Sequence, residues 1–171
     1  TPAALGALRA IRVKVPDMLA GVGTVLTTEN IAQCRDAGAA FAVAPGLNRR
    51  VVEAAIGAGF SFAPGVVTPS DMELAIELGC RLLKFFPAEP SGGLAYLKSM
   101  AAPYQHLGIE FIPLGGVNTS NMLSYLADPF ITAVGGSWIA TRDLIRQREW
   151  KAITERASQA RAMMDQMKRS G

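Results

Sequence analysis

The stretch Leu82-Leu83-Lys84-Phe85-Phe86-Pro87 decides the fold of this chain. It is a short apolar run, too short for a helix, and it lies between two segments with helical spacing, Pro69–Leu78 and Gly93–Ala101. A run of this kind is typical of a buried strand in a parallel sheet, which helices cover on both faces. The sequence therefore predicts a strand over Leu82–Phe86 with one lysine in its middle.

The same unit recurs along the chain. Five further short apolar runs end in Gly or Pro: Met18–Val22, Phe41–Ala44, Ser61–Ala63, Phe111–Leu114 and Ile131–Val134. The other predicted helices are Pro2–Val15, Thr28–Ala37, Arg49–Ala58, Ser120–Leu126 and a long final one near Arg146–Lys168. Alternation of strand and helix predicts parallel strands joined by right-handed crossovers. We predict one α/β domain over residues 1–171, either an open sheet or a β/α barrel.

Composition excludes several classes of protein. Of the 171 residues, 50% are apolar and 18% are charged, which is typical of a globular domain with a substantial core. The net charge of +3 arises beyond residue 141, where basic residues alternate with apolar ones at helical spacing. This pattern favours a solvated helix face over a nucleic-acid surface. The absence of a signal peptide and of an apolar stretch of ~18 residues favours a cytoplasmic protein without a membrane partner.

The two cysteines, Cys34 and Cys80, lack the spacing of a metal site or a redox pair. We predict that both are reduced thiols in the core and that the protein binds no metal. His106, the only histidine, lies in a loop and is interpreted as a surface residue rather than a general base. Glu89 is interpreted as an acidic residue at a helix start, and less readily as a carboxylate close to the lysine.

Lys84 is the charged residue that least fits its surroundings. Alternation along the strand places it on the opposite face from Leu83 and Phe85. Burial disfavours the ammonium form, so we expect the pKa of Lys84 to lie below the ordinary value of about 10.4. A neutral amine can attack a carbonyl carbon, as a Schiff-base nucleophile must. The alternative is a lysine whose amine reaches solvent at the strand end.

Glycine pairs follow the last two predicted strands. They are Gly115-Gly116 and Gly135-Gly136, and each precedes a helical segment. Backbone N–H groups at such positions bind anions, and the loops after the last two strands of a β/α barrel often bind phosphate. The two pairs together predict a phosphate-binding cup, although tight turns would explain either pair alone.

These residues resemble the class I 2-keto-3-deoxy-6-phosphogluconate (KDPG) and 4-hydroxy-2-oxoglutarate (KHG) aldolases. The resemblance covers the whole chain and rests on six segments: Gly21-Val22-Gly23-Thr24-Val25-Leu26, Ala44-Pro45-Gly46-Leu47, Pro64-Gly65-Val66-Val67-Thr68, Lys84-Phe85-Phe86-Pro87-Ala88-Glu89, Pro113-Leu114-Gly115-Gly116-Val117 and Gly135-Gly136-Ser137-Trp138. It implies an eight-stranded TIM-type β/α barrel, usually a homotrimer, that needs no metal or other cofactor. The implied reaction cleaves KDPG to pyruvate and glyceraldehyde 3-phosphate in the Entner–Doudoroff pathway, and in some members cleaves KHG to pyruvate and glyoxylate.

The resemblance also implies roles for individual residues. Lys84 would form the Schiff base and Thr24 would bind the pyruvoyl carboxylate. Phe86, Pro45 and Leu114 would line the substrate pocket. The phosphate ligands would be Gly115, Gly116, Gly136 and Ser137.

The sequence departs from the family pattern at two places. The family has a Glu-x-Thr-Leu-Arg-Thr segment before the first helix, and only its last residue, matching Thr1, is present. We therefore expect the general base, an arginine and the first strand–helix–strand to lie upstream, so that six of eight strands are present. Leu114 stands where the family often has threonine, which leaves the preference among epimeric sugar acids open.

Three alternatives remain at this point. One is a truncated barrel that keeps a phosphate or oxyanion cup without turnover. Another is an aldolase of the same family that is specific for the galactonate epimer. The last is a barrel isomerase or lyase that binds phosphate but uses no Schiff base.

Overall fold

A computed structural model describes residues 3–170. Within them, the eight helices are α1 (Ala4–Lys14), α2 (Thr28–Asp36), α3 (Arg49–Gly57), α4 (Pro69–Glu77), α5 (Gly93–Ala101), α6 (Met122–Leu126), α7 (Arg142–Arg146) and α8 (Trp150–Ser170). The six strands are β1 (Gly21–Val22), β2 (Phe41–Val43), β3 (Phe62–Ala63), β4 (Gly65–Val66), β5 (Leu82–Phe85) and β6 (Glu110–Pro113). The start of the predicted first helix, at Pro2, and the family match at Thr1 lie outside the described residues.

Every strand pair is parallel, as predicted. The strands form two three-stranded sheets, with the orders β1-β2-β3 and β4-β5-β6. β5 is central in the second sheet, where Lys84 is paired with Gly65 of β4 and with Ile112 of β6. The lysine therefore lies in the middle of a sheet, with a strand on either side.

The predicted strand Ser61–Ala63 is one of two short strands that proline separates. β3 pairs with β2, whereas β4, beyond Pro64, pairs with β5. Pro64 has no N–H to donate to a ladder, but its carbonyl accepts from the Lys84 N–H at 2.9 Å. The proline thus marks the point where the chain passes from one sheet to the other.

The prediction of a strand over Ile131–Val134 is wrong in its extent. The segment makes only isolated parallel bridges, Phe111 with Ile131 and Leu114 with Gly135. The first predicted strand is also shorter, since only Gly21–Val22 of Met18–Val22 is extended in the sheet. Backbone bonds at the two ends of the segment, such as Gly135 N–H to Pro113 O at 3.0 Å, still hold it beside β6.

The long final helix predicted near Arg146–Lys168 is α8, which begins four residues later than predicted, and a short helix that was not predicted, α7, precedes it. α7 ends before Arg148, which has a left-handed φ of 58° and separates the two helices. α8 then runs from Trp150, and most of its charged side chains for which exposure is described are exposed, as predicted for a solvated face. No helix among residues 3–170 combines the length and apolar character needed to cross a bilayer.

The start of α4 is fixed by side-chain hydrogen bonds to the backbone. The Thr68 side chain accepts from the Asp71 N–H at 3.2 Å, and the Asp71 carboxylate accepts from the Thr68 N–H at 2.9 Å. This reciprocal pair is a capping box that fixes the start of α4. α6 begins at Met122, two residues later than predicted, because Asn118 makes a turn by accepting from the Ser120 N–H.

The largest core cluster packs the second sheet against its helices. Leu83 and Phe85 are fully buried there, on the face opposite Lys84. Cys34 is buried and Cys80 is half-buried, and both are free thiols as predicted. The packing leaves the Lys84 face of β5 directed away from the helical layer.

An open groove runs along β1, the edge strand of the first sheet. It has a volume of about 700 Å³ and is lined by α1, by residues 18–24 and by Arg142. Leu19 is 78% exposed and Met18 is 49% exposed beside it. Among the described residues, β1 is paired on one side only, with β2.

Candidate active site

Lys84 is buried in the centre of the second sheet. Its residue exposure is 6%, and its Nζ atom lies 4.5 Å from the centroid of the Phe86 ring. Burial lowers the pKa of Lys84 below its ordinary value, because water no longer solvates the ammonium form. The face of an aromatic ring stabilises an ammonium ion less than full solvation by water does. The geometry therefore favours a neutral amine at lower pH than for a surface lysine.

Phe86 joins the lysine to a neighbouring cavity. The ring that contacts Lys84 also lines a cavity of about 530 Å³ with Leu114. The rest of the lining comes from the two glycine loops, through Gly115, Gly116, Val117, Asn118, Gly136, Ser137 and Trp138. We call this space the cup. The structure thus brings together the four predicted phosphate ligands and two of the predicted pocket residues.

The first glycine loop is fixed by backbone bonds from the chain that follows Lys84. The Ala88 N–H donates to Leu114 O at 2.8 Å, and the Glu89 N–H donates to Gly115 O at 2.9 Å. Gly116 has a φ of 87°, and a Cβ atom there would lie 2.5 Å from Glu89 Cβ. Only glycine combines this conformation with so close an approach.

The second glycine loop lies under Trp138 and is held by the last helix. A Cβ atom on Gly136 would lie 2.2 Å from the indole ring. Arg156 of α8 donates from Nη1 to the Trp138 carbonyl at 2.7 Å. α8, for which the sequence predicts only a solvated face, therefore also supports one wall of the cup.

Pro45 and Thr24 lie at the ends of the preceding strands, outside the cup. Pro45 follows β2, and its carbonyl approaches Gly65 so closely that a Cβ there would lie 2.2 Å from Pro45 O. Since Gly65 is paired with Lys84, Pro45 lies one strand away from the lysine. Thr24 follows β1 and lines the groove along that strand. Its left-handed φ of 61° is costly for a β-branched residue, and such strain is common at ligand sites.

Two further side chains, Glu89 and Tyr125, lie behind the cup, and the sequence assigns neither of them to the site. The Tyr125 hydroxyl donates a short hydrogen bond to Glu89 Oε1. Burial raises the pKa of Tyr125, and the bond to the Glu89 carboxylate raises it further, so the phenol stays protonated. Glu89 does begin a short 3-10 helix, Glu89–Ser91, as expected for a helix-start residue. No motif in the sequence pointed to Tyr125.

The remaining candidates have no part in this site. His106 is exposed in the 3-10 helix Ala102–Leu107, in agreement with the surface interpretation. Within residues 3–170, no group of three or more His, Cys, Asp or Glu side chains has the arrangement of a metal site.

The chain is similar in sequence and in fold to known aldolases. Residues 1–156 match the profile of the family described as KDPG and KHG aldolase. The 2-dehydro-3-deoxy-phosphogluconate aldolase of Haemophilus influenzae is 42% identical over 151 residues, 88% of this chain and 70% of that protein. The KHG/KDPG aldolase of Escherichia coli K12 is 36% identical over 160 residues, which are 94% of this chain and 74% of the relative.

The solved structure of a KDPG aldolase is similar to this fold over most of the chain. The KDPG aldolase of Legionella pneumophila, with pyruvate captured at low pH as a covalent carbinolamine intermediate, superimposes with a TM-score of 0.84 at 36% identity. The match covers 91% of this chain and 74% of that one. The parallel strands with covering helices are thus those of an α/β fold of the barrel type. On sequence and structure together, the chain belongs to the KDPG and KHG aldolase family.

Proposed function

We propose that the protein is a class I aldolase that cleaves KDPG to pyruvate and glyceraldehyde 3-phosphate. The observation that carries the proposal is a buried lysine whose amine contacts the same aromatic ring that walls a glycine-lined cup. A nucleophile for the keto group and a site for the phosphate then both lie next to the Phe86 side chain. Relatives named as KDPG aldolases over most of this chain support the assignment.

In the proposed reaction the neutral Lys84 amine attacks the C2 keto carbon, and water leaves to give an iminium ion. A base removes the proton from the C4 hydroxyl, and the electrons of the C3–C4 bond move into the iminium as glyceraldehyde 3-phosphate departs. The resulting enamine takes a proton at C3, and water then releases pyruvate and the free amine. The low pKa of Lys84 supplies the neutral nucleophile for the first step.

The remaining predicted residues bind the two ends of the substrate. Backbone N–H groups of the cup, with the Ser137 hydroxyl, would bind the phosphate. Thr24 would bind the carboxylate, with Pro45 and Phe86 enclosing the carbon chain. Leu114 lines the cup without a hydroxyl, so it would enforce the stereochemistry of the sugar acid less strictly than a hydrogen-bonding residue would.

We also propose that the barrel closes along the groove beside β1. Two further strands from a segment upstream of Thr1, carrying the general base and the carboxylate-binding arginine, would fill that groove. The open edge of β1 supports this, because unpaired edges of apolar strands are unfavourable. The relatives support it as well, since the chain spans 70–74% of their lengths.

A cytoplasmic homotrimer is the proposed form of the enzyme. Two free thiols are consistent with a reducing compartment. Exposed apolar side chains, including Trp150 at 57% and Ile145 at 48%, are available for contacts between subunits. Light scattering of the full protein tests the assembly, and a monomeric mass would contradict it.

The proposed activity is tested with purified protein and KDPG, using lactate dehydrogenase to follow pyruvate. Lys84→Met removes the nucleophile and is expected to abolish cleavage. Lys151→Met is the matched control, because Lys151 lies on the exposed side of α8. Undiminished cleavage by Lys84→Met would exclude the Schiff-base mechanism. Stronger cleavage of the galactonate epimer would correct the substrate and leave the mechanism in place.

A further inference from the structure

We propose that Tyr125 and Glu89 form a positioning pair that holds the cup in register with Lys84 and so determines the affinity for phosphorylated keto acids. The inference rests on the proposed function, since it assigns phosphate to the cup. Neither side chain lines the cup itself. They act through the first glycine loop and are therefore positioning residues.

Glu89 contacts the first glycine loop twice. Its N–H donates to Gly115 O at 2.9 Å, and its Cβ and Cγ atoms lie against Gly116, at 2.5 and 2.6 Å from where a Cβ would be. The same residue is five positions after Lys84 on the chain that leaves β5. A shift of Glu89 therefore moves Gly115 and Gly116 relative to the lysine.

Tyr125 fixes the other end of this connection. It lies on α6, the helix that follows the first glycine loop, and is only 1% exposed. Its hydroxyl donates to Glu89 Oε1, so one hydrogen bond joins the chain after β5 to the helix after the loop. This bond is partly shielded from water, and a hydrogen bond to a carboxylate acceptor is stronger than one between neutral groups.

The surroundings of the carboxylate are arranged for this bond. Glu89 Oε1 and the Tyr125 hydroxyl lie 3.2 and 3.5 Å from the position of a Cβ on Gly93, so a side chain there would crowd the Glu89 carboxylate. Gly93 begins α5, whose N-terminal end favours a nearby negative charge. The pair thus lies between the start of α5 and the C-terminal end of α6, behind the cup.

This geometry separates phosphate binding from imine chemistry. The pair touches Gly115 and Gly116 but has no contact with Lys84 or Phe86 among the hydrogen bonds and ring contacts of residues 3–170. Loss of the Tyr125 hydroxyl should loosen the cup and leave the lysine unaltered. The affected substrates are then those that carry a phosphate.

The test compares KM and kcat for KDPG and for unphosphorylated KHG. Tyr125→Phe and Glu89→Ala are expected to raise the KM for KDPG about tenfold, the size of a lost charged hydrogen bond, with kcat within about twofold of wild type. The KM for KHG should stay unchanged. Glu89→Gln keeps an acceptor for Tyr125 and the same stem against Gly116, so it should restore the wild-type KM.

Tyr104→Phe is the matched control. Tyr104 donates to Glu73 at 2.9 Å in an exposed hydrogen bond and does not line the cup, so loss of its hydroxyl should alter neither KM. Equal changes for both substrates, or no change in Tyr125→Phe, would overturn the inference. If Tyr125→Phe fails to fold, Glu89→Ala decides alone, because Glu89 is exposed and its truncation leaves no buried vacancy.

Direct binding distinguishes this inference from the proposed function. Calorimetric titration with glyceraldehyde 3-phosphate measures the cup without turnover. A wild-type protein that includes the upstream segment and binds this ligand but cleaves nothing would refute the aldolase proposal, while tenfold weaker binding by Tyr125→Phe would still support the pair. A wild-type protein that does not bind the ligand would overturn the positioning role.

Discussion

Replacement of Gly116 by alanine should destabilise the protein far more than the same change at another glycine of equal conformation. Gly116 and Gly79 have φ values of 87° and 85°. A Cβ on Gly116 would lie 2.5 Å from Glu89 Cβ, whereas a Cβ on Gly79 would meet no atom within 4 Å. Gly79→Ala therefore measures the backbone cost alone, and Gly116→Ala adds the clash.

The two costs can be estimated separately. A left-handed alanine costs roughly 1–2 kcal/mol, offset by about 0.5–1 kcal/mol because glycine loses more entropy on folding. Gly79→Ala should thus lower the free energy of unfolding by about 1 kcal/mol. Glu89 Cβ is one bond from the backbone and cannot rotate away, so Gly116→Ala requires a backbone shift that adds about 1–3 kcal/mol.

Urea unfolding of both variants and of wild type measures the difference. With equal m-values, the midpoint for Gly116→Ala should fall well below that for Gly79→Ala. Glyceraldehyde 3-phosphate should also bind Gly116→Ala more weakly, because relief of the clash displaces the first glycine loop. Equal unfolding free energies for the two variants would refute the close packing of Glu89 on the cup.

Three further results follow from particular residues. Lys84→Met should be more stable than wild type at pH 7, because the lysine binds a proton more readily in the unfolded chain than in the buried site. The free energy of unfolding of wild type should therefore rise with pH towards about 10, and the difference in urea midpoints between the two proteins should shrink. A difference that stays constant with pH would contradict the lowered pKa of Lys84. Thr24→Gly should relieve the left-handed φ and stabilise the protein by about 1 kcal/mol in thermal unfolding, yet weaken pyruvate binding, and unchanged pyruvate affinity would remove Thr24 from the site. Thr68→Ala should cost about 1 kcal/mol in urea unfolding through loss of the capping box, whereas Thr68→Ser should cost little.

The spacing of apolar residues and the positions of glycine and proline predicted most of the fold. The short apolar runs that end in Gly or Pro located the parallel strands, and the segments with helical spacing between them located the helices. The predictions of secondary structure were wrong where backbone hydrogen bonds or backbone conformation, rather than residue type, determine the structure. Ile131–Val134 is apolar enough for a strand but pairs with β6 only near its two ends. Arg148 ends α7 through its backbone conformation, which its residue type does not signal.

Residue chemistry also located the centre of the candidate site. A lysine in an apolar strand and two glycine pairs indicated the nucleophile and the cup, and the structure joins them through Phe86. Tyr125 was missed because its role depends on a contact with Glu89, 36 residues away in sequence. Arg156 was missed for the same reason, since its carbonyl partner on Trp138 is a main-chain atom that no sequence pattern marks.

Trapping with borohydride tests the central claim, that Lys84 forms the imine. The purified protein is incubated with pyruvate and borohydride, which reduces an imine to a stable secondary amine, and intact mass and peptide mapping then locate the adduct. If Lys84 forms the imine, one pyruvyl adduct will be found on the peptide that contains Lys84, and none in Lys84→Met. An adduct on another lysine, or KDPG cleavage that persists without any adduct, would contradict it.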